Sequence, residues 1–297
     1  HAAPAVVLEA ITAQLGSLSS YPSTRGLTEL RSAISAWATR RFGLKRVPLD
    51  PERHVLPACG TREALFSIAQ TVIDHQRHAR PVIIMPNPFY QIYEGAALLA
   101  GAEPYFLNTV AHNHYRMDLD AVPPDIWQRT QMVYLCSPGN PTGAVTSHAD
   151  YARLIGLTQR YDFVIASDEC YSEIYFDEAR PPIGLLQVAD DLGVEDYRHC
   201  LVFHSLSKRS NLPGLRSGFV AGDGGLMAPY LQYRTYQGCT LSSLAQSASI
   251  QAWGDERHVP PDHPAWEHVS RHSLEELLAT CDVVSLHVPL TDETRHM

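Results

Sequence analysis

Short β-branched runs alternate with helix-period segments from about residue 27 to residue 252, and that alternation most narrows the folds open to this chain. Leu30, Ile34, Trp37 and Ala38 fall on one helical face, so the spacing predicts an amphipathic helix over 27–42. Residues 54–56 read as a strand and 61–73 as a helix; 81–85 is a buried strand, followed by a Pro/Asn break and a helix over 91–100. Further apolar strands are expected at 132–136, 163–167, 201–205 and 218–221, with helices filling 147–160, 226–237 and 241–253. Runs this apolar suit strands buried on both faces, which points to an α/β layered fold with a largely parallel sheet.

Charge and composition close off several functions. The chain carries 23 Lys plus Arg against 32 Asp plus Glu, a formal net charge of −9, which suits no extended contact with a nucleic-acid backbone. No apolar run approaches the roughly 20 residues of a membrane-crossing helix. Cys59, Cys136, Cys170, Cys200, Cys239 and Cys281 are far apart and form no CxxC pair, which reads as reduced thiols in a cytoplasmic protein and no zinc site. His112, His114 and the histidines from His258 to His272 also lack metal-ligand spacing, so no metal is expected. The chain begins at His1 with no leader pattern and stops at Met297 with no closing element, so a piece of a longer protein is expected.

In such sheets chemistry gathers in loops beyond the carboxyl ends of the strands. The first carries Cys59-Gly60-Thr61-Arg62, where a Gly turn into a helix can offer N–H groups to an anion; taken alone, a plain turn with Thr61 as N-cap is the simpler reading. The second carries Phe89 and Tyr90, able to stack on a planar ligand or simply to cover the core. In the third, Ser137-Pro138-Gly139-Asn140-Pro141-Thr142-Gly143, two prolines and two glycines would hold the Asn140 amide rigidly, or form an ordinary surface turn. Asp168 ends the strand before the fourth, where a buried carboxylate is costly without a cation, and Tyr171 can reach the same pocket. The fifth holds Lys208, one of only two lysines, with Arg209 and Arg216 nearby. A lysine there can be a nucleophilic amine, although most lysines are merely solvated.

An anion cup, an aromatic, an Asn, an Asp with a Tyr, then a Lys with an Arg: in that order and spacing, residues 21–258 resemble the class I/II aminotransferases of pyridoxal-phosphate fold type I. Several stretches are similar to the proteobacterial N-succinyldiaminopimelate aminotransferases: Tyr21–Gly26, Arg62–Phe66, Pro86–Gly95, Glu169–Tyr175 and Ser205–Asn211. The resemblance implies a three-layer α/β/α large domain over 1–258 and pyridoxal 5′-phosphate as cofactor. It implies that Lys208 holds the cofactor and moves the proton, and that Asp168 pairs with the ring nitrogen. Asn140 and Tyr171 would meet the phenolic oxygen and Tyr90 the ring face. Gly60, Thr61, Arg62, Ser205 and Arg216 would hold the phosphate. Tyr21 would reach the phosphate of a neighbouring subunit in a homodimer, and Arg234 would be offered across the interface to a distal substrate carboxylate. The implied reaction transfers an amino group from glutamate to N-succinyl-2-amino-6-oxopimelate in lysine biosynthesis.

The chain departs from that family at both ends. The N-terminal arm is expected to be truncated, and the C-terminal small domain with its carboxylate-binding arginine to be missing. A Pro-rich seam at 259–264 leads instead into a predicted helix over 273–279 and strand over 283–288. There Ser273–Met297 resembles a fragment of the NAD-dependent D-2-hydroxyacid dehydrogenases without the phosphate-binding glycines. Residues 259–297 are therefore expected to be an unrelated tail. Other readings are a chimeric piece without turnover, or a different class I/II aminotransferase or β-lyase on the same scaffold. Ser205-Leu206-Ser207-Lys208 also matches the S-x-x-K of penicillin-binding serine hydrolases, but no S-D-N or K-T-G follows.

Overall fold

The computed structural model describes residues 3–175, 177 and 179–258. The expected tail at 259–297, with its helix and strand, lies outside the described residues. The sheet has seven strands: β1 (Val55–Ala58), β2 (Val82–Asn87), β3 (Glu103–Asn108), β4 (Thr130–Cys136), β5 (Val164–Asp168), β6 (Cys200–Ser205) and β7 (Gly218–Gly222). Their order across the sheet is β1-β7-β6-β5-β4-β2-β3. Neighbours are parallel from β3 through β2, β4 and β5 to β6. Only β7 runs against both its neighbours.

Alternation along each strand divides the core into two layers. Ile84 on β2, Val133 and Leu135 on β4, Ile165 on β5 and Val202 on β6 face the helices Thr28–Phe42, His148–Tyr161, Leu185–Asp191 and Ser243–Gly254. Ile83, Met85, Met132, Tyr134, Ala166, Leu201 and Phe203 face Thr61–Val72, Gln91–Leu99 and Gly224–Gln237. The result is the three-layer α/β/α arrangement, with the central strands buried on both sides as their composition requires.

Two helices that follow strand-end loops start in contrasting ways. His148–Tyr161 opens on a capping box, the Ser147 hydroxyl accepting from the Asp150 N–H. Thr61–Val72 opens on Gly60 at φ 85° with no side-chain cap, so its first N–H groups carry no side-chain acceptor. Several elements were not anticipated: the helices Ala5–Ala13, Pro124–Arg129 and Leu185–Asp191, and the edge strand β3.

Candidate active site

The carboxyl ends of β1, β4, β5 and β6 and the amino end of β7 lie together, because β1 and β6 are each antiparallel to β7. Cys136 pairs with Asp168 across β4 and β5, Asp168 with Phe203 across β5 and β6, and Ser205 with Gly218 across β6 and β7. The five loops singled out by sequence thus open on one end of the sheet.

The cup forms first. Thr61 does not cap its helix; its hydroxyl lies 3.1 Å from the Cys170 Sγ, tying the β1 loop to the β5 loop. A Cβ on Gly60 would stand 2.6 Å from the Arg216 Nη2, so the bare glycine lets that guanidinium lie against the turn. Arg216 is itself held by donating to the Pro213 carbonyl at 2.9 Å. Arg62 donates from Nε to the Tyr90 hydroxyl at 2.6 Å, which brings the β2 loop to the cup. The buried Ser205 hydroxyl accepts from the Ser207 N–H at 3.0 Å. No hydrogen bond joins it to Lys208 among the described residues, so the geometry gives no support to a serine-hydrolase tetrad.

Asp168 is 5% exposed and ends β5. Tyr93 donates its hydroxyl to Oδ2 at 2.8 Å, and the Cys170 N–H reaches Oδ1 at 3.3 Å. Among the described residues no cation forms an ion pair with it. Burial pushes its carboxyl above the usual range, against those hydrogen bonds. Tyr93 is fixed in turn by a stack on Tyr134, 4.6 Å between centroids and 13° between planes, and the Tyr134 hydroxyl donates to the Leu65 carbonyl. Burial likewise raises the Tyr93 hydroxyl, which stays a donor.

Lys208 is exposed, on the four-residue helix Leu206–Arg209, with Nζ 5.6 Å from the centre of the Tyr171 ring. Among the described residues it has no acidic partner. The Tyr171 hydroxyl is pushed up to about 12, chiefly by burial. Asn140 stands exposed on a cinched loop: Gly139 N–H donates to Ala144 O at 2.8 Å, Gly143 N–H to Gly139 O at 2.7 Å, and Thr146 N–H to Ser137 Oγ at 2.9 Å.

Tyr21 and Arg234 complete the expected set. Tyr21 is fully exposed and makes no hydrogen bond among the described residues. Arg234 is not offered to anything outside: its side chain is 0% exposed and pairs with Glu63, Nη2 to Oε2 at 3.3 Å. It also donates to the Pro57 and Cys239 carbonyls at 2.6 and 3.3 Å. The sequence held the signal for this correction. Met227, Tyr230 and Arg234 fall on one stripe of the helix Gly224–Gln237, the stripe that faces the core. Tyr93 and Glu63 were missed as site residues; asking which donor a buried Asp168 would demand could have found Tyr93, three residues after Tyr90.

The residues present fit pyridoxal phosphate on three counts: a buried carboxylate and an amine that have no ionic partner among the described residues, and a glycine cup lined by a guanidinium and by a helix N-terminus without a side-chain cap. No cluster of three or more metal-ligating side chains occurs among the described residues, and no helix among them is long and apolar enough to cross a membrane.

The family model for aminotransferase class I and II matches residues 1–281. That match runs past the seam expected at 259–264 and lends no support to a dehydrogenase origin for the residues beyond it. The LL-diaminopimelate aminotransferase of Desulforudis audaxviator is 34% identical over 234 residues, 78% of this chain and 56% of that protein. A crystal structure of an aminotransferase from Neisseria meningitidis Z2491 superposes with TM-score 0.82 at 49% identity, over 87% of this chain and 64% of the other. Aminotransferase AspB from Helicobacter pylori 26695 superposes with TM-score 0.80 at 37% identity, over 87% and 66%. The chain spans a little over half the length of the curated relatives it matches, 56% and 57% for two of them. With this family match and these identities, the chain belongs to the class I and II aminotransferases.

Proposed function

We propose that the chain is the cofactor-binding part of a pyridoxal-phosphate-dependent aminotransferase that takes the amino group of glutamate and passes it to a keto acid of the diaminopimelate type. The observation that carries this reading is that one sheet end holds both the Asp168 carboxylate and the Lys208 amine, neither with an ionic partner among the described residues. The class I and II aminotransferases depend on pyridoxal phosphate. When bound, that cofactor supplies an electron-accepting ring conjugated to the substrate nitrogen.

The chain's own residues would do the rest. Lys208 would hold the cofactor through Nζ and, once released, carry a proton to and from the substrate α-carbon. Asp168, kept in place by Tyr93, would hold the proton on the ring nitrogen. Asn140 and Tyr171 would bond the phenolic oxygen, and Tyr90 would lie on the ring. Gly60, Thr61, Arg62, Ser205 and Arg216 would bind the phosphate. Tyr21, free on the surface, would complete the phosphate site of a second copy in a homodimer. The large domain would span 1–258 and the tail 259–297, a boundary drawn from the Pro-rich run at 259–264.

For the acceptor, the names of the curated relatives support diaminopimelate chemistry with the unacylated compound. The motifs Pro86–Gly95 and Ser205–Asn211 support the N-succinylated one. The first test is borohydride reduction of the full chain with pyridoxal phosphate, followed by peptide mass mapping. A phosphopyridoxyl group on Lys208 and not on Lys45 is expected. Glutamate-dependent amino transfer to each keto acid then sorts the substrates. An unlabelled Lys208 would overturn the cofactor reading, and a labelled chain without amino transfer would overturn the activity alone.

A further inference from the structure

The cup has an acid in its floor. Glu63 lies in the first turn of the helix that Gly60 opens; its Oε2 accepts the Cys59 N–H at 3.1 Å and its Oε1 the Ser67 hydroxyl at 3.1 Å. A carboxylate there favours the helix dipole, but it also places a negative charge beside the turn where a phosphate would have to sit. Arg234, wholly buried, lies directly against that carboxylate. Its other nitrogen holds the Pro57 carbonyl at the end of β1, so one guanidinium grips both sides of the turn. Tyr230 packs under it, 5.7 Å from ring to guanidinium, and its hydroxyl closes the network on Ser67 at 2.7 Å. Burying an arginine on a core stripe is expensive, and a methionine would fill that stripe at lower cost.

We infer that Arg234 is a positioning residue for anion binding: it neutralises Glu63 beneath the Gly60–Arg62 turn and locks that turn to β1, so that the cup can accept a phosphate dianion. The inference rests on the cofactor reading and adds the reason the cup stays electropositive with an acid in its first turn. Glu63→Gln keeps an acceptor for the Cys59 N–H while removing the charge, so charge and shape separate cleanly.

The test compares pyridoxal phosphate with pyridoxal, which lacks the phosphate, as ligands of the full chain, by absorbance titration. The readout is the ratio of their affinities. Arg234→Met is expected to lower that ratio by about tenfold or more, leaving pyridoxal binding nearly unchanged. Arg234→Met with Glu63→Gln is expected to recover it in part, since the bond to Pro57 stays lost, and Glu63→Gln alone to hold or raise it. A merely structural arginine would weaken both ligands together and would not be rescued by Glu63→Gln; either result overturns the inference. Should Arg234→Met fail to fold, the Glu63→Gln chain decides, because a lowered ratio there refutes the electrostatic role and a held or raised one supports it. If the unaltered chain does not prefer pyridoxal phosphate over pyridoxal, the cofactor reading itself falls and takes this inference with it.

Discussion

Tyr93→Phe isolates the hydroxyl that holds Asp168. The phenyl ring keeps its stack on Tyr134, so the change removes one hydrogen bond of 2.8 Å to a buried carboxylate and little else. Hydrogen bonds to charged groups contribute about 1.5–3 kcal/mol. For a domain of this size each kcal/mol moves the melting temperature by about 2–4 °C, so a loss of roughly 3–12 °C is expected. The pH dependence gives the sharper test. Burial raises the folded-state pKa of Asp168, so the folded chain binds this proton more readily than the unfolded chain, and stability from this group falls as pH rises through that raised value. The Tyr93 hydroxyl is one of the bonds that pull the value down; without it the carboxyl moves further up. The gap between parent and variant should therefore be widest at about pH 8 and narrower at about pH 5, where more of both carboxyls is protonated. Thermal unfolding followed by circular dichroism at the two pH values measures it. Equal gaps at both, or no gap at either, would refute the assignment of Tyr93 as the donor that keeps Asp168 ionised.

Two further substitutions probe other parts of the frame. Gly60→Ala puts a Cβ 2.6 Å from the Arg216 Nη2 at a backbone φ of 85°, so the guanidinium must move and the turn is strained. Pyridoxal phosphate affinity should fall by about tenfold or more with the fold intact by circular dichroism, and unchanged affinity would show that the turn is not the phosphate site. On the opposite end of the sheet, a hydrogen bond from Arg53 is the main cause holding the Asp196 carboxyl down at about 2. A lowered folded-state pKa contributes stability above the ordinary carboxylate value, and that contribution disappears as pH falls toward about 2. Arg53→Met should thus shift the acid-unfolding midpoint upward, and superimposable acid limbs would discount the pair.

How much of the fold and site was legible in the sequence depends on what each residue must do locally. The central strands could be read because burial on both faces forces unbroken apolar runs, as in Val82-Ile83-Ile84-Met85. The edge strand β3 could not: Pro104 interrupts it, Phe106 is 37% exposed, and Leu107 is its single buried residue. The loops that carry the expected site residues were legible because each follows an apolar strand run, and those loops open on one end of the sheet. The fate of Arg234 was misjudged because an arginine announces its charge but not its partner, and Glu63 is 171 residues away in sequence. Tyr93 was missed for the same reason, since its acceptor lies 75 residues further on.

The direction of β7 is the least legible feature and the one on which the site most depends. Nothing in Gly218–Gly222 says which way it runs. The chain between β6 and β7 holds only Leu206–Arg209 and the turn Pro213–Leu215, and it returns to pair Gly218 with Ser205 at the end it left. A parallel strand would have demanded a crossover to the far end of the sheet. Because the chain turns back instead, Lys208 stays over the Tyr171 ring and Arg216 stays against Gly60. Gly218 permits the closure: a Cβ on it would stand 2.5 Å from the His204 carbonyl oxygen, 3.4 Å from the Thr61 nitrogen and 3.5 Å from the Gly60 Cα. A Cβ there would drive β7 from β6 at the His204 carbonyl, while meeting the cup at ordinary contact distance. The amine, the guanidinium and the cup therefore share one end of the sheet through backbone packing at a single glycine, and the side chains that would perform the chemistry are hung on a geometry they do not themselves create.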